Sequence, residues 1–128
     1  MYIGGSIGCF GAAQHDGSEY TGRYRAGCRS VDALKSWHTP RFKILATHPL
    51  VDVLAIETIP CLNEVEALLQ LLGEFPEKRA YLSVVCQDAH RLTSGETVAD
   101  CAALIRRYMG KEEEDASQSR RCVENLIA

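Results

Sequence analysis

The sequence predicts an α/β protein in which a parallel sheet is covered by helices, and three observations carry that prediction. Apolar runs of strand length alternate with stretches of helical spacing along the chain. Each strand-to-strand interval is long enough for a helical crossover. The second strand divides into one face of large aliphatic residues and one of small ones. At 128 residues, 46% hydrophobic and 24% charged, the chain has the composition of a globular domain and the length to enclose a core.

Four runs read as strands: YIGGS at 2–6, VDVLAIE at 51–57, AYLSVV at 80–85 and NLIA at 125–128. Between the first two, Ser30 is placed to cap a helix through SVDALKSWHTPRFKILATH, with Leu34, Trp37, Phe42 and Leu45 as its inner stripe. Pro40 would kink that helix or divide it in two. Asn63 followed by Glu66 reads as a capping box for EVEALLQLLGEF, whose Val65, Leu68, Leu69 and Leu72 share a face. Thr97 opens VADCAALIRRYM, with Ala99, Ala103, Leu104 and Met109 roughly in line. Residues 110–121, GKEEEDASQSRR, read as a polar, solvated insertion between this helix and the last strand. In an α/β barrel such a loop lies on the face opposite the active site, so it is assigned no function.

In VDVLAIE, one parity carries Val51, Val53, Ala55 and Glu57, the other Asp52, Leu54 and Ile56. Leucine and isoleucine suit packing against helices, whereas the Val and Ala set suits a crowded barrel interior. On that parity Glu57 points inward at the strand's C-terminal end, where parallel α/β proteins build their sites. A carboxylate there is either buried with a cationic partner or waits for a cationic ligand, because an unpaired buried charge is too costly. Ser83 shares the parity of Tyr81 and Val85 and would line the same interior, unless its hydroxyl is spent on a neighbouring carbonyl.

Composition narrows the partners. The formal charge of −3 and the absence of any basic cluster longer than Arg-Arg argue against nucleic acid or an anionic membrane surface. No apolar run approaches a membrane span, and no positive charge precedes Arg23 to form a signal peptide's n-region, so a cytoplasmic protein is expected. The six cysteines, Cys9, Cys28, Cys61, Cys86, Cys101 and Cys122, contain no Cys-x-x-Cys pair, and without an export signal reduced thiols are expected rather than disulfides. Residues 4–11, GGSIGCFG, invite a phosphate-loop reading, but the best register lacks the first glycine of G-x-G-x-x-G and opens into a long polar loop instead of a helix.

GGSIGCFGAAQHDGSEYTGRY, SWHTPRF, DVLAIETIP followed by NEVEALLQLL, and YLSVVCQDAHRLTSGETV resemble, in sequence and in order, the homocysteine S-methyltransferase family. The resemblance implies a parallel (β/α)8 TIM barrel in which the first block ends the third strand and E-T-I-P ends the fourth. Residues 1–128 would then form a partial homocysteine-binding barrel of about three βα units plus the start of a further strand. Two departures stand out: Cys9 occupies a common proline position, and His48-Pro49-Leu50 replaces an Ala-Gly-Ala type of entry to the strand.

The resemblance further implies transfer of a methyl group from a sulfonium donor, S-methylmethionine or S-adenosylmethionine, to zinc-bound homocysteine, giving methionine. Glu57 would hold the homocysteine ammonium, with Ser6, Gly8, Thr58 and Ser83 completing the substrate-binding set and the Gly8–Gly11 loop bringing backbone close to the amino acid. The family's three zinc-binding cysteines follow its sixth and eighth strands and have no counterpart in this chain. Cys9, Cys61 and Cys86 fall near strand C-termini yet match no family ligand position, so neither a metal ligand nor a catalytic side chain is assigned. ETIP, with no aromatic residue after the carboxylate, argues against betaine-type members. The chain is therefore expected to be a truncated form, inactive alone and open to self-association through exposed sheet edges. The alternative is a non-catalytic fragment, or one half of a split gene, that associates with another chain.

Overall fold

The computed structural model describes residues 1–110 and the backbone of 126–127, so most of the polar stretch expected at 110–121 lies outside the described residues. Strand β1 (Gly4–Gly8) leads through three short 3-10 turns to helix α1 (Val31–Thr47). Then follow β2 (Val53–Ile59), α2 (Leu62–Gly73), β3 (Arg79–Val84), α3 (Val98–Gly110) and β4 (Leu126–Ile127). The strands lie in the order β1-β2-β3-β4 and every pairing is parallel, as the alternation of strands and helices requires.

Helix α1 begins where expected: the Ser30 side chain accepts a hydrogen bond from the Ala33 N–H at 3.2 Å. Pro40 does not divide it; the helix runs on to Thr47, and the Thr39 hydroxyl donates to the Lys35 carbonyl. Its buried stripe is Leu34, His38, Phe42 and Ala46, a strict four-residue repeat. Trp37 and Leu45, expected on that stripe, are half-buried beside it.

Two further expectations are corrected. Helix α2 is capped at Cys61 without a side-chain hydrogen bond, so there is no capping box from Asn63 and Glu66. Asn63 instead donates to the Arg29 carbonyl, and Glu66 accepts from Arg107 and Tyr108 of α3. In α3 the inward residues are Cys101, Leu104, Ile105 and Tyr108, whereas Ala99 and Ala103 are exposed. Larger side chains at i, i+3, i+4 and i+7 bury more apolar area than the alanines, so they set the helix rotation. Thr97 opens α3 by a reciprocal pair: its hydroxyl accepts from the Asp100 N–H while Asp100 accepts from the Thr97 N–H and hydroxyl. Those bonds hold the Asp100 carboxyl below its ordinary value.

All three helices contribute to the core on one face of the sheet. Ile7, Leu54, Ile56, Ile59 and Ala80 meet Phe42 and Ala46 of α1, Val65, Leu68, Leu69 and Leu71 of α2, and Cys101 and Leu104 of α3. Each large aliphatic side chain buried there contributes about 1.5–3 kcal/mol. The opposite face of the sheet carries Ser6, Glu57, Thr58, Tyr81 and Ser83, and all but the half-buried Glu57 are exposed. A sheet with one covered and one open face is the geometry of a barrel wall seen from inside.

Candidate functional site

The site is assembled at the C-terminal end of this open face. Parallel register places Gly8 opposite Glu57 and Ala55 opposite both Ser6 and Tyr81. Because side chains alternate along each strand, Ser6, Glu57 and Tyr81 converge. The Ser6 hydroxyl donates to Glu57 Oε1 at 2.8 Å, and the Tyr81 hydroxyl reaches Oε2 at 3.5 Å. The ion pairs among the described residues join Lys35 to Glu74 and Arg107 to Glu66, His38 is hydrogen-bonded to Glu64, and none of these contacts includes Glu57. Of the two possibilities open for an inward carboxylate here, a protein cation is therefore not the one realised among the described residues.

A β-bulge shapes this end of β2. Ile56 pairs with Leu82 and Ile59 with Val84, so Glu57 and Thr58 together oppose the single residue Ser83. Thr58 has φ of 62°, a left-handed conformation that a β-branched side chain rarely adopts. The bulge sends the Thr58 N–H to the Ser83 hydroxyl oxygen at 3.2 Å. It also returns Ile59 to the helix-covered side, where it is fully buried. The strain is offset by bonds around it. The Val85 N–H donates to the Ile59 carbonyl, while the Ser94 N–H, the Ser94 hydroxyl and the Thr93 hydroxyl all donate to the Pro60 carbonyl. Non-glycine residues held in such conformations cluster at functional sites. The exposed Thr58 side chain lies beside Glu57 at the rim of the open face.

The five residues singled out from the sequence thus meet in one place: Ser6 and Glu57 bond directly, Thr58 and Ser83 bond directly, and Gly8 stands opposite Glu57. The glycine loop differs from expectation. The close approach at Gly11 is to the chain itself, since a Cβ there would lie 2.7 Å from the Ser18 carbonyl carbon and nearer still to the Glu19 nitrogen. A Cβ at Gly8 would meet nothing within 4 Å. Gly8 therefore leaves space beside Glu57, and Gly11 locks the following loop.

Behind the rim lies a buried polar cluster that sequence reasoning missed. Glu64, fully buried on α2, accepts from the Phe10 N–H at 2.6 Å and His38 Nε2 at 2.7 Å on one oxygen, and from the Tyr24 hydroxyl at 2.5 Å on the other. The sequence does hold a signal for it: His38 stands between Leu34 and Phe42 on the inner stripe of α1, and Glu64 precedes Leu68 and Leu71 on that of α2. Tyr81 was likewise missed as a holder of Glu57, although its parity with Ser83 was legible.

Cys9 and Cys61 border this cluster. Burial first, and then the charge of Glu64, push the Cys61 thiol up to about 12. Burial also raises Cys9, against a hydrogen bond from Ala12 that lowers it. Neither thiol is thus activated toward the thiolate by its surroundings. Among the described residues no group of three His, Cys, Asp or Glu side chains could hold a metal ion, so these residues do not fit a zinc site. Likewise, among the described residues, no helix is long and apolar enough to cross a membrane.

Comparison with known proteins gives this geometry a lineage. The family model for homocysteine S-methyltransferase matches residues 1–111. The betaine-homocysteine S-methyltransferase of Drosophila melanogaster is 44% identical over 84% of this chain and 32% of its own length. The homocysteine S-methyltransferase YbgG of Bacillus subtilis is 46% identical over 83% of this chain and 32% of its own. The crystal structure of the homocysteine methyltransferase MmuM from Escherichia coli, in its metallated form, superposes with a TM-score of 0.77 at 39% identity, covering 84% of this chain and 36% of that one. This chain spans about a third of the length of the relatives it matches. Matched through its model over nearly the whole described length, and sharing the fold of a solved member, the chain belongs to the homocysteine S-methyltransferase family.

Proposed function

We propose that this chain supplies part of the homocysteine-binding wall of a homocysteine S-methyltransferase, with Glu57 holding the substrate ammonium. The observation that carries the reading is the Glu57 carboxylate, fixed by the hydroxyls of Ser6 and Tyr81 and without a cationic partner among the described residues. A carboxylate oriented in this way and lacking a protein cation suits a ligand cation, and the ammonium is the cationic group of homocysteine. Gly8 leaves room beside it, Thr58 is exposed next to it at the same rim, and the Ser83 hydroxyl holds the Thr58 N–H. In the reaction, an electron pair on the homocysteine sulfur forms the new bond to the methyl carbon as the donor's sulfonium–methyl bond breaks. The donor departs as a neutral thioether and the thiol proton passes to solvent. No step is assigned to a metal on these residues. A sulfonium donor is retained in the proposal on the ETIP sequence that ends β2. Overall similarity does not choose it, since relatives named for betaine and for homocysteine alone are about equally identical over this segment.

The test replaces the corresponding segment of the Bacillus subtilis relative with residues 1–110 and compares the wild-type hybrid with Glu57→Gln by calorimetric titration with L-homocysteine. Glutamine keeps the size and one acceptor but removes the charge. Affinity should fall by about 10- to 150-fold, the equivalent of roughly 1.5–3 kcal/mol for a charge-assisted hydrogen bond. The melting temperature should hold. Unchanged affinity with a lowered melting temperature would make Glu57 a strut and overturn the reading.

A second reading, in which the chain associates with another polypeptide, draws on one observation. Among the described residues β1 is paired on one side only, and the exposed Tyr2 and Ile3 lead into it. Sedimentation of the isolated chain as a monodisperse monomer would count against it.

A further inference from the structure

The buried cluster behind the rim continues past Glu64. Arg41 Nη2 donates to the Gly8 carbonyl at 2.8 Å and lies 3.2 Å from His38 Nδ1. A guanidinium nitrogen carries only hydrogens, so Nδ1 is the acceptor and the ring hydrogen sits on Nε2, which donates to Glu64 Oε1. The imidazole therefore bridges a guanidinium on one side and a carboxylate on the other. The far end of the chain of bonds is the Phe10 N–H, held by the same Glu64 oxygen. Gly8 and Phe10, the two neighbours of Cys9, are thus pinned by one connected set of side chains from α1 and α2. Arg41 is also stacked on Trp37, its Cζ 4.8 Å from the ring centroid, and its Nε is buried without a hydrogen-bond partner. A guanidinium that tolerates an unpaired N–H is held for the sake of its other contacts.

We propose that Arg41 is a positioning residue for the substrate site: through Arg41, His38 and Glu64 the helices fix the end of β1 opposite Glu57, and hence the spacing between the Ser6–Glu57 pair and the open space at Gly8. This rests on the reading of Glu57 as the ammonium site. The network lies behind the sheet and does not itself touch the ligand. Its effect is on geometry, and a binding constellation is productive only within about 0.5 Å of its proper arrangement. Cys9 sits in the middle of the pinned segment, fully enclosed, so the backbone on either side is fixed while the residue between them faces the core.

The experiment uses the same hybrid, residues 1–110 in place of the corresponding segment of the Bacillus subtilis relative, and titrates it with L-homocysteine by calorimetry, well below every melting temperature. Arg41→Met keeps the apolar stem over Trp37 and removes both polar contacts; it should weaken homocysteine binding by about tenfold. Arg41→Lys keeps the charge and a donor in reach of Gly8 and should recover part of that loss. Lys35→Met, which breaks the Lys35–Glu74 ion pair on the same two helices away from β1, is the control: it should lower the melting temperature and leave affinity alone. Arg41→Met binding homocysteine as tightly as wild type, while Glu57→Gln binds more weakly, would overturn the positioning role and leave the ammonium site standing. No binding by wild type, or equal binding by Glu57→Gln, would overturn the ammonium site itself and this inference with it.

Discussion

Two glutamates at either end of the β2–α2 connection occupy opposite situations. Around Glu64 every polar need is met from within: three donors reach its two oxygens, and the fully buried His38 links it to the half-buried Arg41 guanidinium. Around Glu57 two hydroxyls orient the carboxylate on an open face, and no described cation neutralises it. The residue type is the same and the strand-to-helix connection is the same. The difference is whether the chain completes the charge itself or leaves it to be completed. A satisfied buried charge acts as a structural joint, and the oriented but unneutralised one is the group we propose for the ligand.

The largest test of that contrast is removal of each carboxylate. Glu64→Ala leaves the Phe10 N–H, Tyr24 and His38 buried without their acceptor and should cost about 3–5 kcal/mol, enough to unfold a marginal chain. Glu57→Ala should change stability by less than about 0.5 kcal/mol, as for a surface substitution. Urea unfolding followed by Trp37 fluorescence measures both, and equal losses would erase the distinction.

The two regions also differ in their glycines. A Cβ at Gly11 would press into the backbone of Ser18 and Glu19, so Gly11→Ala should lose about 1–3 kcal/mol as the loop is forced away. Gly8→Ala, entering space where nothing lies within 4 Å, should fold as wild type while narrowing the room beside Glu57. Thermal unfolding of the pair should separate them clearly, and a destabilised Gly8→Ala would mean that its space belongs to the fold.

A smaller effect should appear in alkali. The Cys61 thiol is raised from 9.0 to about 12 by burial and by the nearby Glu64 charge. The unfolded chain therefore loses this proton at lower pH than the folded one. The contribution to stability is full below pH 9.0 and is lost as pH rises toward about 12. Stability of the wild type should fall across that window, and Cys61→Ala should show a shallower fall. The slope should not vanish, because burial and Glu64 also raise Tyr24. Equal slopes in the two proteins would show that Cys61 is not shielded by the cluster.

The open face was largely legible from sequence because a strand has a period of two. Parity alone turned Glu57 inward, put Leu54 and Ile56 under the helices and set Ser83 on the same side as Tyr81. That logic fails at Ile59, which has the parity of Glu57 yet is fully buried among the helices. The extra residue at Thr58 resets the alternation, and nothing in E-T-I-P announces a left-handed threonine. The capping box at Asn63 and Glu66 failed for a related reason. Both side chains had long-range partners, Arg29 and the Arg107–Tyr108 pair, that outbid a local bond.

By itself the sequence determined the alternation of strands and helices, the parallel sheet, the Ser30 cap, the inward carboxylate and the resemblance to a methyltransferase family. All of these rest on residues close in the chain or on a short periodicity. Only the tertiary structure decided that Gly11 packs on Ser18 and Glu19 and that Thr58 opens a bulge against Ser83. It alone decided that Glu64, His38, Tyr24 and Arg41 form one cluster around the end of β1. Those contacts join residues up to 54 positions apart. Their energy comes from bonds made in a dry interior, where a polar group must find its partner wherever in the chain that partner lies.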